Sequence, residues 1–257
     1  MRVHRKYRRR LEEPLISVVL VLLTMRAVLA EAEELVKAVG SKPIGLLGVG
    51  AEAVVIRCEW RSFDAVAKVR LPKPYRAPEL DGRLRRERTA LEAKLLAEAR
   101  KLGVPAPTLL YVNPEFFVLM MDYIPGPRLR EVLPSLEGRE AVFRELGFYA
   151  GLLHARGIVH GDLTAANVVA SSRGVFIIDF GLGSFSNDLE EQGVDVHLML
   201  RSLESTVPSL APSLYRAFLR GYREARGAAT AELVEEKVAE IRRRGRYVAE
   251  RRRVLRA

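Results

Sequence analysis

The chain has 257 residues, of which 49% are hydrophobic and 29% charged. That is enough apolar material for one large core or two small lobes of about 100 residues each, and it excludes fibrous, mucin-like and fully disordered classes. A single cysteine, Cys58, excludes an internal disulfide, and four histidines with no Cys/His cluster leave a structural zinc site almost without ligands. An intracellular, cytoplasmic chain is expected. The net charge of +10 lies at the two ends: residues 1–10 and 242–257 contribute +6 and +7, leaving residues 11–241 at −3. Such clusters attract a phosphate backbone or an acidic protein surface, and Tyr247 with Val248 among the tail's arginines is more than a solubility tag requires.

From Pro14 to Met25 runs the uncharged stretch PLISVVLVLLTM. As a helix it would span about 18 Å, short of the roughly 30 Å of a hydrocarbon core. It reads as a buried or partner-facing helix, with membrane-surface contact of residues 14–25 or a secretory signal as the alternatives, and Met25 is itself a possible start. From Arg26 the spacing predicts a helix with Val28, Leu35, Val36 and Val39 near one face, a Glu33–Lys37 pair, and Gly40 as its C-cap.

Residues 44–70, IGLLGVGAEAVVIRCEWRSFDAVAKVR, read as a β-hairpin followed by a third strand, with Gly48 and Gly50 at the turn. No Gly-Lys-Ser/Thr follows, which excludes a Walker A loop, and a dinucleotide fingerprint would have to open into a helix where Val54, Val55, Ile56 and Trp60 favour strand. A kinase-type glycine loop fits: the backbone of Gly48, Val49, Gly50, Ala51, Glu52 and Ala53 would cover phosphates, and Val55 would pack on an adenine. Lys68, on an apolar strand among Val66, Ala67 and Val69, needs anionic partners such as phosphates and a carboxylate. The carboxylate is expected from a helix over 81–102, where Glu92 borders the stripe of Leu84, Leu91, Leu95, Ala99 and Leu102, and Glu87 is the rival among arginines. Two further strands, turning at Asn113-Pro114, lead to Met121 at the back of the adenine site. The backbone of Asp122 and Ile124 would read the adenine edge, and Pro125-Gly126 mark an exit into a second lobe.

In that lobe a helix over 137–156 places Phe143, Leu146, Ala150 and Leu153 inward, with His154 as a packing histidine. The segment GIVHGDLTAANVVASSRGVFIIDFGLG then gathers Asp162, Asn167 and Asp179 around two apolar strands. Three oxygen-bearing side chains at this spacing suit Mg²⁺ and phosphate chemistry. Asp162 would accept or orient the proton of an attacking hydroxyl or water, and Asn167 and Asp179 would hold metal.

These motifs resemble the protein kinase superfamily and, within it, the small atypical kinase/ATPase subunits of the KEOPS (EKC) complex. The likeness covers about residues 44–257 and is carried by GAEA at 50–53, the run from Pro74 to Pro107, HGDLTAAN at 160–167, the run from Ile177 to Ser205, and the terminal arginines. It implies an α+β, bilobal kinase-like fold with a small β-rich N-lobe at 44–124 and a reduced helical C-lobe at 125–241, between an extension at 1–43 and a basic tail at 242–257. It implies ATP and Mg²⁺ as cofactors, weak serine/threonine kinase activity, and an ATPase role in forming threonylcarbamoyladenosine at position 37 of tRNA. The implied partners are the KEOPS transferase subunit, other KEOPS subunits and, through them, tRNA. Two departures stand out: ordinary kinases carry Arg where this chain has Gly161, and the stretch after Gly181 is too short for a peptide-docking shelf. A RIO-type kinase usually has Asp-x-Pro-Gln where this chain has Asp179-Phe180-Gly181-Leu182. Small-molecule phosphotransferases share a similar His-Gly-Asp loop but usually lack the arginine-rich helix and tail, and a RIO-like or other small phosphotransferase outside KEOPS is the alternative. A non-enzymatic scaffold is disfavoured because Lys68, Asp162, Asn167 and Asp179 are all present.

Overall fold

The computed structural model of the chain describes residues 26–254, with side chains as far as Arg244. Residues 1–10, the apolar run 14–25 and the side chains from 245 onward, Tyr247, Val248, Val254 and Leu255 among them, lie outside the described residues. The chain divides into two compact units, one of residues 26–87 with Tyr111–Met121, the other of Arg88–Leu110 with 122–254.

The first unit opens with helix α1 (26–38), which buries Ala32 and Val36. Lys37 pairs with Glu34 at 2.8 Å rather than with Glu33, since positions three and four apart are both neighbours on a helix. Gly40 ends the helix in a left-handed conformation, φ 78°, as a C-cap glycine should. Strands β1 (Ser41–Val49), β2 (Ala53–Trp60), β3 (Phe63–Arg70), β4 (Leu109–Asn113) and β5 (Val118–Asp122) form one sheet in the order β1-β2-β3-β5-β4. On β2 the alternating residues Ile56, Cys58 and Trp60 point into the core, whereas β3 is buried on both faces from Ala65 to Arg70, as befits a central strand. A fully buried Val69 contributes about 1.5–3 kcal/mol, and a charge there would break the unit. Arg61 and Ser62, both at positive φ, make the two-residue turn between β2 and β3.

Helix α2 (Pro78–Lys101) is divided between the units at residue 87. It starts earlier than Asp81, because a proline in the first turn loses no helical hydrogen bond. Its buried residues include Glu92, Ala93, Leu95, Leu96 and Ala99, while Leu84 and Leu91 are half-exposed.

The second unit continues with α3 (Leu129–Val132), α4 (Arg139–Ala155), β6 (Ile158–Val159), a 3-10 turn at Ala165–Asn167, the hairpin β7 (Val168–Ser171) and β8 (Gly174–Ile177), β9 (Ser184–Phe185), α5 (Leu189–Thr206), α6 (Ala211–Arg226) and α7 (Ala228–Val254). Phe143, Leu146, Ala150 and Leu153 of α4 are buried, in line with their spacing. Helices α4 and α6 touch backbone to backbone: a Cβ at Gly147 would stand 1.8 Å from Phe218 O, and one at Gly221 1.7 Å from Arg144 O. Helix α7 buries Ala231, Val234 and Val238, crosses α5 at Gly193 beside Lys237, and runs unbroken into the arginine-rich segment from Arg242 to Val254. No helix among the described residues is long and apolar enough to cross a membrane. A small β-rich unit and a larger helical one give the α+β, bilobal kinase-like class expected.

Candidate active site

In the first unit the glycine-rich stretch is shared between strand and turn. Strands β1 and β2 pair as far as Val49 with Val54, so Gly50, Ala51 and Glu52 form the connection, closed by a Gly50 N–H to Ala53 O bond at 2.8 Å. Gly48, expected at the turn, is instead a strand residue opposite Val55, beside a bulge. The turn is anchored from behind by cations: Arg70 reaches Glu52 at 3.3 Å, Arg76 at 3.8 Å, and Lys73 donates to Ala51 O. The Glu52 side chain is thus engaged in holding the turn, and backbone N–H groups are what the turn can present to an anion. Lys68 stands opposite Val55 in the β2–β3 register and is buried, as is Met121. Cys58 is buried, and that burial raises its thiol pKa, which makes it an inert core residue.

In the second unit Asp162, Asn167 and Asp179 come together around the β7–β8 hairpin. Asn167 Nδ2 donates to Asp162 Oδ2 at 2.7 Å and to Asp162 O at 2.9 Å, which fixes the carboxylate and directs the amide oxygen elsewhere. His160 donates through Nε2 to Ile178 O at 3.1 Å and accepts the Asp162 N–H on Nδ1 at 3.2 Å, a pattern that defines the Nε2–H tautomer. Its ring lies 4.7 Å from that of Phe180, which is fully buried. Asp179 adopts φ 64°, an uncommon left-handed conformation for a residue with a side chain, and its Oδ1 accepts Gly181 N–H at 3.1 Å. Glu92 is 1% exposed, whereas its rival Glu87 is exposed. Asp122 uses its N–H on Thr108 O at 3.0 Å and its carboxylate on the Thr108 N–H.

A RIO domain match covers residues 63–183. Over 210 residues the chain is 42% identical to the KEOPS complex subunit Bud32 of Pyrococcus abyssi, spanning 79% of this chain and 96% of that one. The chain belongs to the Bud32 family. A probable serine/threonine-protein kinase BUD32 homolog of Archaeoglobus fulgidus is 40% identical over 200 residues, 95% of its length. A probable bifunctional tRNA threonylcarbamoyladenosine biosynthesis protein of Methanospirillum hungatei is 43% identical, but the chain spans only 36% of it. The Rio2 kinase of Chaetomium thermophilum, in a complex with ADP, Mg²⁺ and phosphoaspartate, superposes with a TM-score of 0.55 at 16% identity, covering 77% of this chain and 71% of that one. At that identity the likeness concerns the fold alone, and it is the near full-length identity to Bud32 proteins that decides the family.

Within this Bud32-family chain, sequence reasoning missed the residues that brace the catalytic loop. Asp195 on α5 is fully buried and accepts the backbone N–H groups of His160 at 2.6 Å and Gly161 at 2.9 Å. Ser202, two turns on, accepts the Ala165 N–H at 3.0 Å. The packing histidine His154 closes the set between Tyr222 Oη at 2.8 Å and Asp195 Oδ2 at 3.2 Å. One signal was readable: Asp195 is an acid on the apolar stripe of Val196, Met199 and Leu203. The structure also accounts for Gly161, where ordinary kinases carry Arg. Its φ is 80°, and a Cβ there would lie 2.1 Å from Leu182 O, so no side chain fits.

Proposed function

We propose that the chain is a Mg-ATP-dependent kinase/ATPase that works as a KEOPS subunit in forming threonylcarbamoyladenosine at position 37 of tRNA, in the cytoplasm. The observation that carries this reading is the Asp162–Asn167–Asp179 group flanking the β7–β8 hairpin of a Bud32-family fold. Its donor set is all oxygen, which fits Mg²⁺: that ion takes one or two protein carboxylates and completes its shell with phosphate and water. Asn167 and Asp179 would hold the metal, which when bound neutralises developing phosphate charge. Asp162, oriented by Asn167 Nδ2, takes the proton of the attacking water or hydroxyl at its carboxylate. The glycine turn supplies backbone N–H groups and Lys68 an ammonium for the phosphates. Glu92 serves as the buried carboxylate of that set, Met121 and Val55 as apolar walls for adenine, and Asp122 and Ile124 as its backbone readers.

The partners are the KEOPS transferase subunit, which performs the modification, the remaining KEOPS subunits, and tRNA reached through them. The short link after Gly181 supports slow, unselective phosphorylation of protein by the isolated chain. The test is ATP turnover by the wild type and by Asp179→Ala, each with and without the transferase subunit and tRNA. Turnover that rises with the partner and disappears in the variant supports the reading. Equal rates in folded, contaminant-free preparations of the two would overturn it.

A further inference from the structure

Asp81 lies in the first turn of α2 and is 2% exposed, while Glu79 of the same turn is exposed. Glu79 can complement the helix dipole from water, so the dipole does not explain a buried acid. The surroundings of Asp81 do. Its Oδ1 accepts the Lys73 N–H at 3.3 Å and lies 3.5 Å from an Arg76 guanidinium nitrogen, and its Oδ2 accepts Arg85 Nε–H at 2.7 Å. Arg85 in turn lies 3.8 Å over the ring of Phe117 and donates to Arg70 O at 3.3 Å.

Two of these partners run on to the glycine turn. Arg76 turns its other guanidinium nitrogen to Glu52 at 3.8 Å, the acid that Arg70 also holds, and Lys73 donates from Nζ to Ala51 O. The circuit closes from Glu52 through Arg76, Asp81, Arg85 and Arg70 back to Glu52, and every member belongs to the first unit. The segment that carries Lys73 and Arg76 contains Pro72, Pro74 and Pro78, and an Arg76 N–H to Lys73 O bond at 3.0 Å closes a turn within it. Fixed proline φ angles restrict where its two cations can stand. A turn of Gly50, Ala51 and Glu52 left to itself would have to be ordered by the nucleotide, at the expense of affinity. We infer that Asp81 is a positioning residue of the nucleotide site: through Arg76 and Lys73 it sets the Gly50–Glu52 turn before a nucleotide arrives.

This rests on the ATP reading above, and the experiment tells the two apart. ATP turnover with saturating Mg²⁺ is measured on the full chain for the wild type, Asp81→Asn, Glu52→Gln and the double variant. Chemistry in the isolated chain is slow on that reading, so KM reports nucleotide binding. Asp81→Asn keeps the size and an acceptor for the Lys73 N–H but loses the charge that holds Arg76 and Arg85. KM for ATP should rise about tenfold with kcat within about twofold, the split that follows when binding is lost and chemistry is not. Because both acids act through Arg76, the double variant should be about as impaired as the worse single one. If Asp81→Asn does not fold, Arg76→Met, at a partly exposed position, is read in the same way with Glu52→Gln. An unchanged KM in the folded variant, a fall in kcat as large as the rise in KM, or losses that multiply in the double variant would overturn the inference while leaving the ATP reading in place. A wild type that does not hydrolyse ATP would remove the ATP reading itself and Asp81's role with it.

Discussion

Asp195 Oδ2 accepts the backbone N–H of His160 at 2.6 Å across thirty-five positions of sequence. Its other oxygen takes the Gly161 N–H, so one buried carboxylate on α5 sets the path of the loop that carries Asp162. Asp195→Asn keeps the volume but replaces one acceptor with a donor facing an N–H. The expected result is a fall in kcat of about 10² with nucleotide affinity little changed, because a shift of about 1 Å in the loop misplaces Asp162, the proposed proton acceptor. Stability should drop by about 1–3 kcal/mol. Kinetics and thermal melts of the variant check both, and an unchanged kcat would refute the bracing role.

Asp179, proposed above as a metal ligand, has a left-handed backbone. Asp179→Ala should lower turnover by about 10² or more, since metal positioning is lost. Asp179→Gly should be as inactive but more stable than the alanine variant by about 1 kcal/mol, because glycine tolerates φ 64°. Paired melting curves and ATPase assays test the contrast; identical melting temperatures would argue against backbone strain.

Gly161→Ala should be disruptive out of proportion to one methyl group, as the added carbon would meet Leu182 O at 2.1 Å. The loop or the segment after Gly181 would have to move, and activity should fall with stability. An alanine variant with wild-type turnover would contradict this close approach.

The local patterns of the sequence carried the turn at Gly50, the buried Lys68, the inward face of α4 and the oxygen-rich group at Asp162, Asn167 and Asp179, because each is written in neighbouring residues. What stayed hidden depends on contacts far along the chain. Asp195 and Ser202 act on a loop thirty to forty residues earlier. Lys37 was misassigned because a helix offers it two glutamates of equal spacing quality. The earlier start of α2 went unread because Pro74 and Pro78 look like loop residues until the first helical turn accepts one.

His197 on α5 is half-buried, with Nδ1 lacking a partner, and burial together with Arg242 and Arg201 lowers its pKa against the opposing effect of Glu204. The unfolded chain therefore takes up this proton first on acidification. Stability should be complete above the ordinary value of 6.5 and be lost as pH falls through that value toward the folded one. His197→Gln should flatten this loss in denaturant titrations between pH 7 and about 5. An unaltered pH profile in the variant would assign the loss to other groups.

The basic segment begins on a helix already docked. Arg242 pairs with Glu204 at 2.9 Å, and Arg244 pairs with Glu190. Removing residues 245–257 should leave both pairs, the melting temperature and basal ATPase almost unchanged, while tRNA-stimulated turnover and threonylcarbamoyladenosine output fall sharply and binding in the complex loses its salt dependence. Removing residues 242–257 should add only a small loss of stability, since exposed ion pairs contribute about 0–1 kcal/mol each. Intact tRNA stimulation after the shorter deletion would rule out a role for this segment.

Between Gly181 and the N-cap Asp188 the chain is stitched down along its length: β9 pairs with β6, Ser186 N–H donates to Gly157 O at 2.8 Å, and Asp188 caps α5. Kinases with a long loop here hold it disordered until phosphorylation pulls it into place. This chain has no such slack to take up, so it has no dormant state to be woken from by that route. Substrate delivery and bound partners are then places where restraint can act. An engine without a clutch wastes little fuel only if it idles slowly, and a low rate in isolation is the form of control that this six-residue span leaves open.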